Sequence, residues 1–563
     1  MSDPHAGSVP VPGGVSLRPS RLRPMLAIVT LCVLSAVWIT LAMTVLFVGP
    51  AEWDDVKYCD IAALPRADTF VPNRYVHIWT LRLFYLLVGS MRPAAGLYSA
   101  LTVVGMMWVG YFVGRRMSGP GCGLIAAVLM PFYPVLLRYL TVPYSDEPMA
   151  LWSGAALLCA LLAGEEAPAR RRWAAVVASG LFCLMAVKCK ETGLAVLPAV
   201  LWLVCVRRHT GRSLAQWVGG VLLGWVGLIA LDGIFMQDAW FSCRLSSYLP
   251  DRTPSPTDAK AVISAGVEYV ELLTTRSFLA FTLLGVGGAL VSFRDNRVVR
   301  AVAIWLFGVI AFQSLIACRY KGIEALDRYC VGIGVPLVML GAHWIVTLWR
   351  RPHGVESGRP IALTLVLAGL VGLTGYGLWT QITGGPEPTR VAWRLYFFLL
   401  PLALITLFVA GWLSASRWLA RISVVVLVAL AFVVSVSDAV RWMRRSEGRL
   451  SDWVELVGEL ERSGARLAVW DLPARPFSPY RIAWRCRALS TGRPERIAVR
   501  RVSTLDEIRQ DEWLVTDAKW WQERGEQRRQ LLSRGWRPVM SVFERKSGFV
   551  VWRPAEGPQR TPR

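Results

Sequence analysis

The sequence predicts an α-helical polytopic membrane protein with a C-terminal α/β domain, and three observations lead to this fold class. Hydrophobic residues make up 54% of the chain and the mean hydropathy is +0.43, which is typical of proteins with many membrane spans. Up to residue 440, apolar runs long enough to cross a bilayer follow one another and number about thirteen. Beyond residue 440, shorter patterns typical of strands and surface helices replace them.

These patterns divide the chain into three parts. Residues 1–24 are rich in Pro, Gly and Ser, as expected of a disordered cytoplasmic tail. Residues 25–440 form the predicted transmembrane domain, and residues 441–563 form a small α/β domain. The predicted spans are Met25–Val48, Ala94–Val113, Gly121–Leu137, Met149–Ala163, Trp173–Val187, Gly193–Val206, Leu214–Phe235, Phe278–Phe293, Ala301–Ala317, Tyr329–Leu348, Ile361–Thr380, Leu395–Leu413 and Ile422–Val440.

Charge predicts the orientation of the spans. Arginine clusters fall in the loops on the side of the N-terminal tail, and the positive-inside rule makes that side cytoplasmic. The clusters include Arg115/Arg116, Arg170–Arg172, Arg207/Arg208, Arg294/Arg297/Arg300, Arg350/Arg351 and Arg417/Arg421. Most loop acids fall on the other side, and an odd number of spans places the C-terminal domain there too. Arginine in excess of lysine is typical of a GC-rich bacterial genome, so we expect a multi-pass protein of the bacterial inner membrane.

Composition also bears on partners. The net charge is +23, but the basic residues are spread over many loops, which does not favour nucleic-acid binding. The chain has eleven cysteines without a CxxC pair and only five histidines, so a histidine-based zinc site is not favoured. The predicted outer side carries Cys59, Cys189, Cys243 and Cys318, which leaves one disulfide open. The outer acids leave a divalent cation open as a cofactor.

Two outer segments and the C-terminal domain have further predicted elements. The amphipathic stretch His77–Phe84 favours a helix at the membrane interface, and Asp258–Thr274 favours a surface helix after a Pro/Ser turn. In the C-terminal domain, we predict helices at Leu450–Arg462 and Ala518–Ser533, and strands at Arg466–Trp470, Arg496–Val502, Trp513–Thr516, Val539–Glu544 and Phe549–Trp552.

The first outer loop carries the strongest functional signal. Asp54 and Asp55 follow the first span directly, and acids at membrane depth are costly unless they serve a function. A solvated loop acid is the alternative. Asp146 and Glu147 open the fourth span before Pro148, where they predict either a catalytic role or simple capping of the helix N-terminus.

Cations converge on the same side. Lys188 and Lys190 lie in a tight turn between two spans, where they can bind an anion such as a lipid phosphate or extend to lipid headgroups. Arg328 opens another span and can hold a phosphate, or it can pair with Asp327 or Glu324. Carboxylates and cations together suit sugar transfer from a polyprenyl-phosphate donor, in which a carboxylate deprotonates a hydroxyl and cations stabilise the phosphate leaving group.

Several motifs resemble known enzymes. Asp54-Asp55-Val56-Lys57-Tyr58 is similar to the Asp-Glu motif of protein O-mannosyltransferases and of aminoarabinose transferases that act on lipid A, which belong to the GT-C superfamily of membrane glycosyltransferases. Residues 73–79, 114–116, 145–148, the Lys190 turn and Arg328-Tyr329 resemble further landmarks of that superfamily, over roughly residues 25–345. The chain has Asp55 where the motif has Glu, and Arg74 is the cation nearest to the place of a Lys-Pro-Pro segment.

The resemblance implies a role for each matched residue. Asp54 would be the general base with Asp55 as its acidic partner, and Asp146 would shape the acceptor side. Lys190, Arg328, Arg74 and Lys188 would bind the donor phosphate. Substrate contacts are expected from residues in the same motifs, namely Tyr58, His77, Glu147, Glu191 and Tyr329.

The predicted function is therefore a hexosyl- or pentosyltransferase. It moves one sugar from a polyprenyl-phosphate donor to a glycan, lipid or protein acceptor of the cell envelope on the outer face of the membrane. One alternative is a transporter or flippase of a glycolipid, although its charges would lie at mid-membrane. Another is a non-catalytic assembly protein that uses residues 441–563 as a binding module.

Overall fold

The computed structural model describes most of the chain. The described residues are 22–50, 53–65, 71–164, 168–206, 210–241, 259–274, 278–319, 327–350, 417–470, 479–490, 497–509, 511–517, 525–544 and 547–554. The predicted tail up to residue 21 and the predicted spans Ile361–Thr380 and Leu395–Leu413 lie outside these ranges.

Helices make up the first part of the protein. In chain order they are α1 Leu22–Thr44, α2 Trp53–Ala63, α3 Tyr75–Val88, α4 Met91–Ser118, α5 Pro120–Leu129, α6 Pro134–Arg138, α7 Asp146–Leu162, α8 Ala169–Cys189, α9 Leu197–Cys205, α10 Thr210–Phe235, α11 Ala259–Thr274, α12 Leu279–Ser292, α13 Arg297–Arg319, α14 Val331–Trp349 and α15 Arg417–Ser463. Short 3₁₀ turns precede α3, α9 and α14, at Pro72–Arg74, Glu191–Val196 and Asp327–Cys330.

The chain is a multi-pass membrane protein. Within the described ranges, seven helices are long and apolar enough to cross a membrane, namely Met25–Thr44, Met91–Ser118, Ala169–Cys189, Thr210–Phe235, Arg297–Ile316, Arg328–Trp349 and Arg421–Arg444. Five of them contain a predicted span, and Met25–Thr44 and Arg297–Ile316 overlap most of one. The predicted total of thirteen stays untested, because two predicted spans lie outside the described residues and others form shorter helices.

Proline explains one of the shorter helices. The predicted span Gly121–Leu137 is divided into α5 and α6, with a 3₁₀ turn at Met130–Phe132 between them. Pro131 and Pro134 remove two backbone donors and restrict the residues before them, so a continuous helix cannot form.

Small residues let the long helices pack closely. Gly220 of α10 lies against the backbone of Val177 in α8, where a Cβ atom would collide with the carbonyl group. Gly288 of α12 lies in the same way against Leu340 of α14. Close backbone approach at glycine is a common way for membrane helices to associate.

One end of the bundle carries short helices and turns in place of long spans. We call it the loop end; it comprises α2, α3, the start of α7, and the turns before α9 and α14. Helices α2 and α3 share an apolar cluster that includes Val56, Cys59, Tyr75 and Ile78. Helix α3 extends the predicted interfacial stretch, and Leu86 and Leu87 on it are exposed, as expected of a helix in contact with lipid.

The C-terminal part contains a five-stranded mixed sheet. Its strands are β1 Arg466–Trp470, β2 Val499–Val502, β3 Glu512–Asp517, β4 Trp536–Glu544 and β5 Ser547–Pro554. The order is β2-β1-β3-β5-β4, with β1 parallel to β2 and β3, and β5 antiparallel to β3 and β4. The helices of this part are α16 Pro479–Leu489 and α17 Gly525–Ser533.

Alternation along β1 places helices on both faces of the sheet. Leu467 and Val469 join the core that contains Trp453 of α15 and Ile482 of α16. Ala468 and Trp470 face the opposite cluster with Leu531 of α17. Successive side chains of a strand point to opposite faces, so the apolar run Arg466–Trp470 serves two layers.

Three details differ from the sequence expectations. The predicted domain boundary at residues 440 and 441 lies inside α15, a continuous helix of 47 residues, because the composition changes there while the helical backbone continues. The predicted helix Leu450–Arg462 is the end of the same helix. Cys59 and Cys189 are free thiols, and the side chains of Cys243 and Cys318 lie outside the described part of the chain.

Candidate active site

Helix α2 holds the two acids of the first loop in different surroundings. Asp54 and Asp55 lie in its first turn, where the positive end of the helix dipole favours negative charge, and the helix ends just before Pro65, which cannot continue it. The Asp54 side chain is 35% exposed, whereas Asp55 is fully buried. Asp54 is therefore the acid that a substrate can reach.

Arg328 lies beside Asp54. Its Nη1 atom is 2.8 Å from Oδ2 of Asp54, and its guanidinium group lies over the rings of Tyr144 and Tyr329, at 5.4 and 5.2 Å from their centroids. The 3₁₀ turn before α14 directs Arg328 toward α2. Arg328 thus pairs with the candidate base. This partner lies on another element, whereas the sequence suggested Asp327 or Glu324 next to Arg328 in the chain.

Asp146 and Lys190 form a second, more buried pair. Lys190 Nζ donates to Asp146 Oδ1 at 2.5 Å, and their side chains are only 10% and 3% exposed. Lys190 also lies 4.1 Å from the ring centroid of Tyr329. Lys190 and Arg328 therefore both contact the ring of Tyr329, which brings these pairs into one cluster.

Glu147 differs from its neighbour Asp146. Both carboxyl oxygens of Glu147 are buried without a hydrogen-bond partner in the part of the chain that the structure describes. Burial and the adjacent charge of Asp146 raise the pKa of Glu147 well above its usual range, although Lys190 and Arg328 oppose the shift. A raised pKa favours the protonated, uncharged form of this carboxyl group.

Arg74 and Glu191 form a third pair across two 3₁₀ turns. Arg74 Nη1 lies 2.7 Å from Glu191 Oε2, and the side-chain amide of Asn73 also donates to Glu191. Burial alone would raise the pKa of Glu191, but Arg74 outweighs burial and lowers it. Burial alone would lower the pKa of Arg74, and Glu191 outweighs that effect in turn. Both groups are therefore charged at neutral pH.

His77 and Tyr58 are buried next to Arg74. Nδ1 of His77 lies 2.9 Å from the hydroxyl group of Tyr98, and the ring of Tyr58 packs edge-on against His77 at 5.1 Å. Burial and the charge of Arg74 lower the pKa of His77 to about 3. His77 is thus a neutral partner of Tyr98.

Lys188 lies in the last turn of α8, and its ammonium group contacts α10. Its Nζ atom lies 4.7 Å from the ring centroid of Trp225 in α10, and the residue is 8% exposed. A cation over an indole ring is stabilised by the ring electrons. This burial differs from the predicted alternative in which Lys188 reaches the lipid headgroups.

An apolar groove lies next to these charges. It has a volume of about 290 Å³ and runs between α3, α8 and α10, with Tyr75, Trp79, Leu184, Leu228 and Leu231 among its walls. Tyr75, which lines the groove, directly follows Arg74 in the chain. An apolar groove of this kind suits the hydrocarbon part of a lipid.

Sequence reasoning missed the C-terminal residues that reach the loop end. Arg487 of α16 pairs with Asp60 of α2, with Nη1 and Oδ1 3.1 Å apart. Trp484 lies beside Lys57, whose Nζ atom is 5.6 Å from the ring centroid. No sequence pattern points to the Asp60–Arg487 pair, because 427 residues separate its members.

The cluster contains what a group-transfer reaction with an anionic leaving group requires. Asp54 is an accessible carboxylate, and Arg328, Lys190 and Arg74 are cations held by partners. Within the described ranges, no group of three or more His, Cys, Asp and Glu side chains could hold a metal ion.

Comparisons with known proteins agree on the fold. Residues 72–230 match the family model described as dolichyl-phosphate-mannose-protein mannosyltransferase, which is less than half of the chain. No curated protein sequence matches the chain. The structure of ArnT from Cupriavidus metallidurans in the apo state has a TM-score of 0.59 and 14% identity, with 95% of this chain and 100% of that chain covered.

Two further structures are similar. ArnT from Cupriavidus metallidurans bound to undecaprenyl phosphate has a TM-score of 0.59 and 16% identity, with 96% of this chain and 100% of that chain covered. The oligosaccharyltransferase of Archaeoglobus fulgidus in the apo form has a TM-score of 0.47 and 11% identity, with 89% and 70% covered, and this lower score supports no conclusion. At such identities, the likeness to ArnT shows a shared fold.

Proposed function

We propose that this chain, which has the fold of the GT-C membrane glycosyltransferases, is an enzyme. It transfers one sugar from a polyprenyl-phosphate donor to a hydroxyl group of a cell-envelope acceptor. The observation that carries the proposal is the cluster of three ion pairs at the loop end, Asp54–Arg328, Asp146–Lys190 and Arg74–Glu191. Each pair joins different elements, and together they bring three cations to the same end of the bundle as the accessible carboxylate of Asp54.

The proposed reaction uses Asp54 as the general base. Asp54 accepts the proton of the acceptor hydroxyl group, and the acceptor oxygen forms a bond to the anomeric carbon of the sugar. The bond between that carbon and the phosphate oxygen breaks, and its electron pair leaves with the polyprenyl phosphate. The transition state has oxocarbenium character, so a nearby carboxylate stabilises it as well.

Arg328 and Lys190 stabilise the leaving group in this proposal. A guanidinium group has five N–H donors, so Arg328 can contact the phosphate while it stays near Asp54. Lys190 adds a second charge against the same ring of Tyr329. Fixed cations at the position where negative charge develops are an effective form of catalysis.

The apolar groove supports a lipid donor. Its walls between α3, α8 and α10 suit an isoprenoid chain, and Arg74, the residue before Tyr75 of this wall, can bind a phosphate. ArnT from Cupriavidus metallidurans has been seen with undecaprenyl phosphate, which is the carrier class that we propose here. By the positive-inside rule, the loop end faces outward in a bacterial inner membrane.

Complementation of a deletion strain tests the proposal. A strain that lacks the protein is supplied with the wild type, with Asp54→Asn, or with Asp295→Asn as a matched control. Asp295 is exposed and lies between α12 and α13, away from the loop end. We expect one envelope sugar to disappear on deletion and to return with the wild type and Asp295→Asn.

Loss of the base should reduce transfer by about 10²- to 10⁴-fold, so Asp54→Asn should fail to restore the sugar at matched expression. The sugar that disappears identifies the donor, and the molecule that carried it identifies the acceptor. If Asp54→Asn restored the sugar as well as the wild type does, Asp54 would not be the base. Transport or assembly would then be the better account.

A further inference from the structure

Helix α16 of the C-terminal domain is packed between two apolar clusters. On one side, Ile482 and Cys486 join the core of α15 and the sheet. On the other side, Ala488 and Trp484 join the cluster of the loop end that contains Val56 and other residues of α2. The helix therefore connects the sheet to the helix that carries Asp54.

Two polar contacts join α16 to α2 in register. Lys57 faces Trp484 and Asp60 faces Arg487. Residues three apart lie on the same face of a helix, so each helix presents one face to the other. Lys57 precedes Asp60 on α2, and their partners Trp484 and Arg487 follow in the same order on α16. The two helices therefore run in the same direction where they meet.

Such a double contact fixes the rotation of α2. Each residue turns a helix by about 100°, and a single contact would leave the helix free to roll about it. Two contacts one turn apart determine both the rotation and the axial position. The Asp60–Arg487 pair is well suited to this, because both side chains are largely shielded from solvent.

Asp54 lies one turn before Lys57 on the same helix. Its carboxylate pairs with Arg328, which lies in the turn before α14 of the bundle. The position of this carboxylate relative to that cation therefore depends on the rotation of α2. A roll of α2 would carry Asp54 away from Arg328 and from the proposed leaving group.

We infer that Trp484 and Arg487 are positioning residues, through which the C-terminal domain holds α2 in the rotation that directs Asp54 at the substrate. This inference rests on the proposed function, because it assigns the domain a part in the same reaction. The domain is then a working part of the active site, and not a separate binding module.

Charge exchange tests the inference. Arg487→Asp places two carboxylates opposite each other, Asp60→Arg places two cations opposite each other, and the double variant restores one of each. Arg487→Lys keeps the charge, and Arg529→Asp makes the same charge change on the exposed helix α17 as a control. Three quantities are measured: sugar transfer in the deletion strain, binding of undecaprenyl phosphate, and hydrogen exchange of the amides of residues 53–63.

Misplacement of a catalytic group by about 1 Å can reduce turnover by about 10²-fold. We therefore expect each single reversal to reduce transfer by about 10- to 100-fold and to speed exchange in residues 53–63, while undecaprenyl phosphate binding is retained. The double variant and Arg487→Lys should recover both transfer and slow exchange. Arg529→Asp should match the wild type, and protected amides in β1 and β3 would show that the sheet is folded.

The outcomes separate the two ideas. If the wild type restores no sugar, the proposed function fails, and exchange in residues 53–63 still shows whether the domain holds α2. If the wild type is active and Arg487→Asp behaves like Arg529→Asp in transfer and exchange, the positioning role is wrong. Failure of the double variant to recover either quantity, with a folded sheet, would also contradict it.

Discussion

One ion pair at the loop end and one ion pair in the C-terminal domain lie in opposite settings. Lys190 and Asp146 join the end of α8 to the start of α7, and their side chains are 10% and 3% exposed. Arg534 and Asp506 meet at the surface of the sheet domain, at 47% and 84% exposure. Burial of two charges requires their removal from water, which the mutual attraction does not always offset. The comparison indicates that the loop-end charges are retained for what they bind.

The largest stability effect is expected at the buried pair. Lys190→Met leaves the carboxylate of Asp146 without its cation in a site that excludes water. Loss of one partner of a buried pair typically destabilises a protein by about 3–5 kcal/mol. Unfolding of the purified protein in detergent, monitored by intrinsic tryptophan fluorescence, measures the change.

A double variant sharpens this prediction. Asp146→Leu combined with Lys190→Met removes both charges, and apolar replacement of a buried pair is often neutral for stability. We expect the double variant to recover stability and to remain without transfer activity. Equal stability of Lys190→Met and the wild type would remove the distinction between the two regions.

The Arg74–Glu191 pair should show an intermediate, pH-dependent effect. The pKa of Glu191 is lower in the folded protein than in the unfolded chain, so the pair stabilises the fold above the unfolded pKa of about 4.3. That contribution is lost as the pH falls through the folded pKa. The wild type should therefore have a higher Tm than Glu191→Gln at pH 7.

Thermal unfolding of both proteins from pH 7 to pH 3 provides the measurement. We expect the difference in Tm to be constant at neutral pH and to disappear in acid, once the wild-type carboxyl group is protonated. A difference that stays the same down to pH 3 would mean that the glutamine acts through its shape and not through its charge.

The smallest effect is expected at the exposed pair. Arg534→Ala removes the partner of Asp506, and exposed pairs contribute about 0–1 kcal/mol. High salt should remove even this difference, since the Debye length is about 3 Å at 1 M. Urea unfolding at low and high salt tests it, and a loss as large as that of Lys190→Met would contradict the comparison.

Some of the fold follows directly from the sequence. Thr210–Phe235 contains the predicted span Leu214–Phe235, because apolar length alone identifies a transmembrane helix. Strand β1 has the predicted bounds Arg466–Trp470, since an apolar run of that length is typical of a buried strand. Hydropathy does not report where a helix breaks, so it did not reveal the division between α5 and α6 or the turn before α9.

Part of the candidate site could also be predicted from the sequence. Acids and lysines on one side of the membrane indicated that Asp54, Asp146 and Lys190 would lie close together, because topology brings loops of one side to one end of the bundle. Topology does not specify which side chains form a pair. Asp54 meets Arg328 only because α2 packs against the turn that precedes α14. Arg487 carries no signal at all, since its partner lies in the opposite part of the chain.

Helix α15 has a mechanical consequence. Its 47 residues extend about 70 Å along the axis, whereas the hydrocarbon core of a bilayer is about 30 Å thick. One continuous helix therefore packs against α12 and α14 in the bundle and also joins the core beneath the sheet. A tilt of this helix in the bundle would move its far end together with the sheet that packs on it, which a flexible linker between two domains would not do.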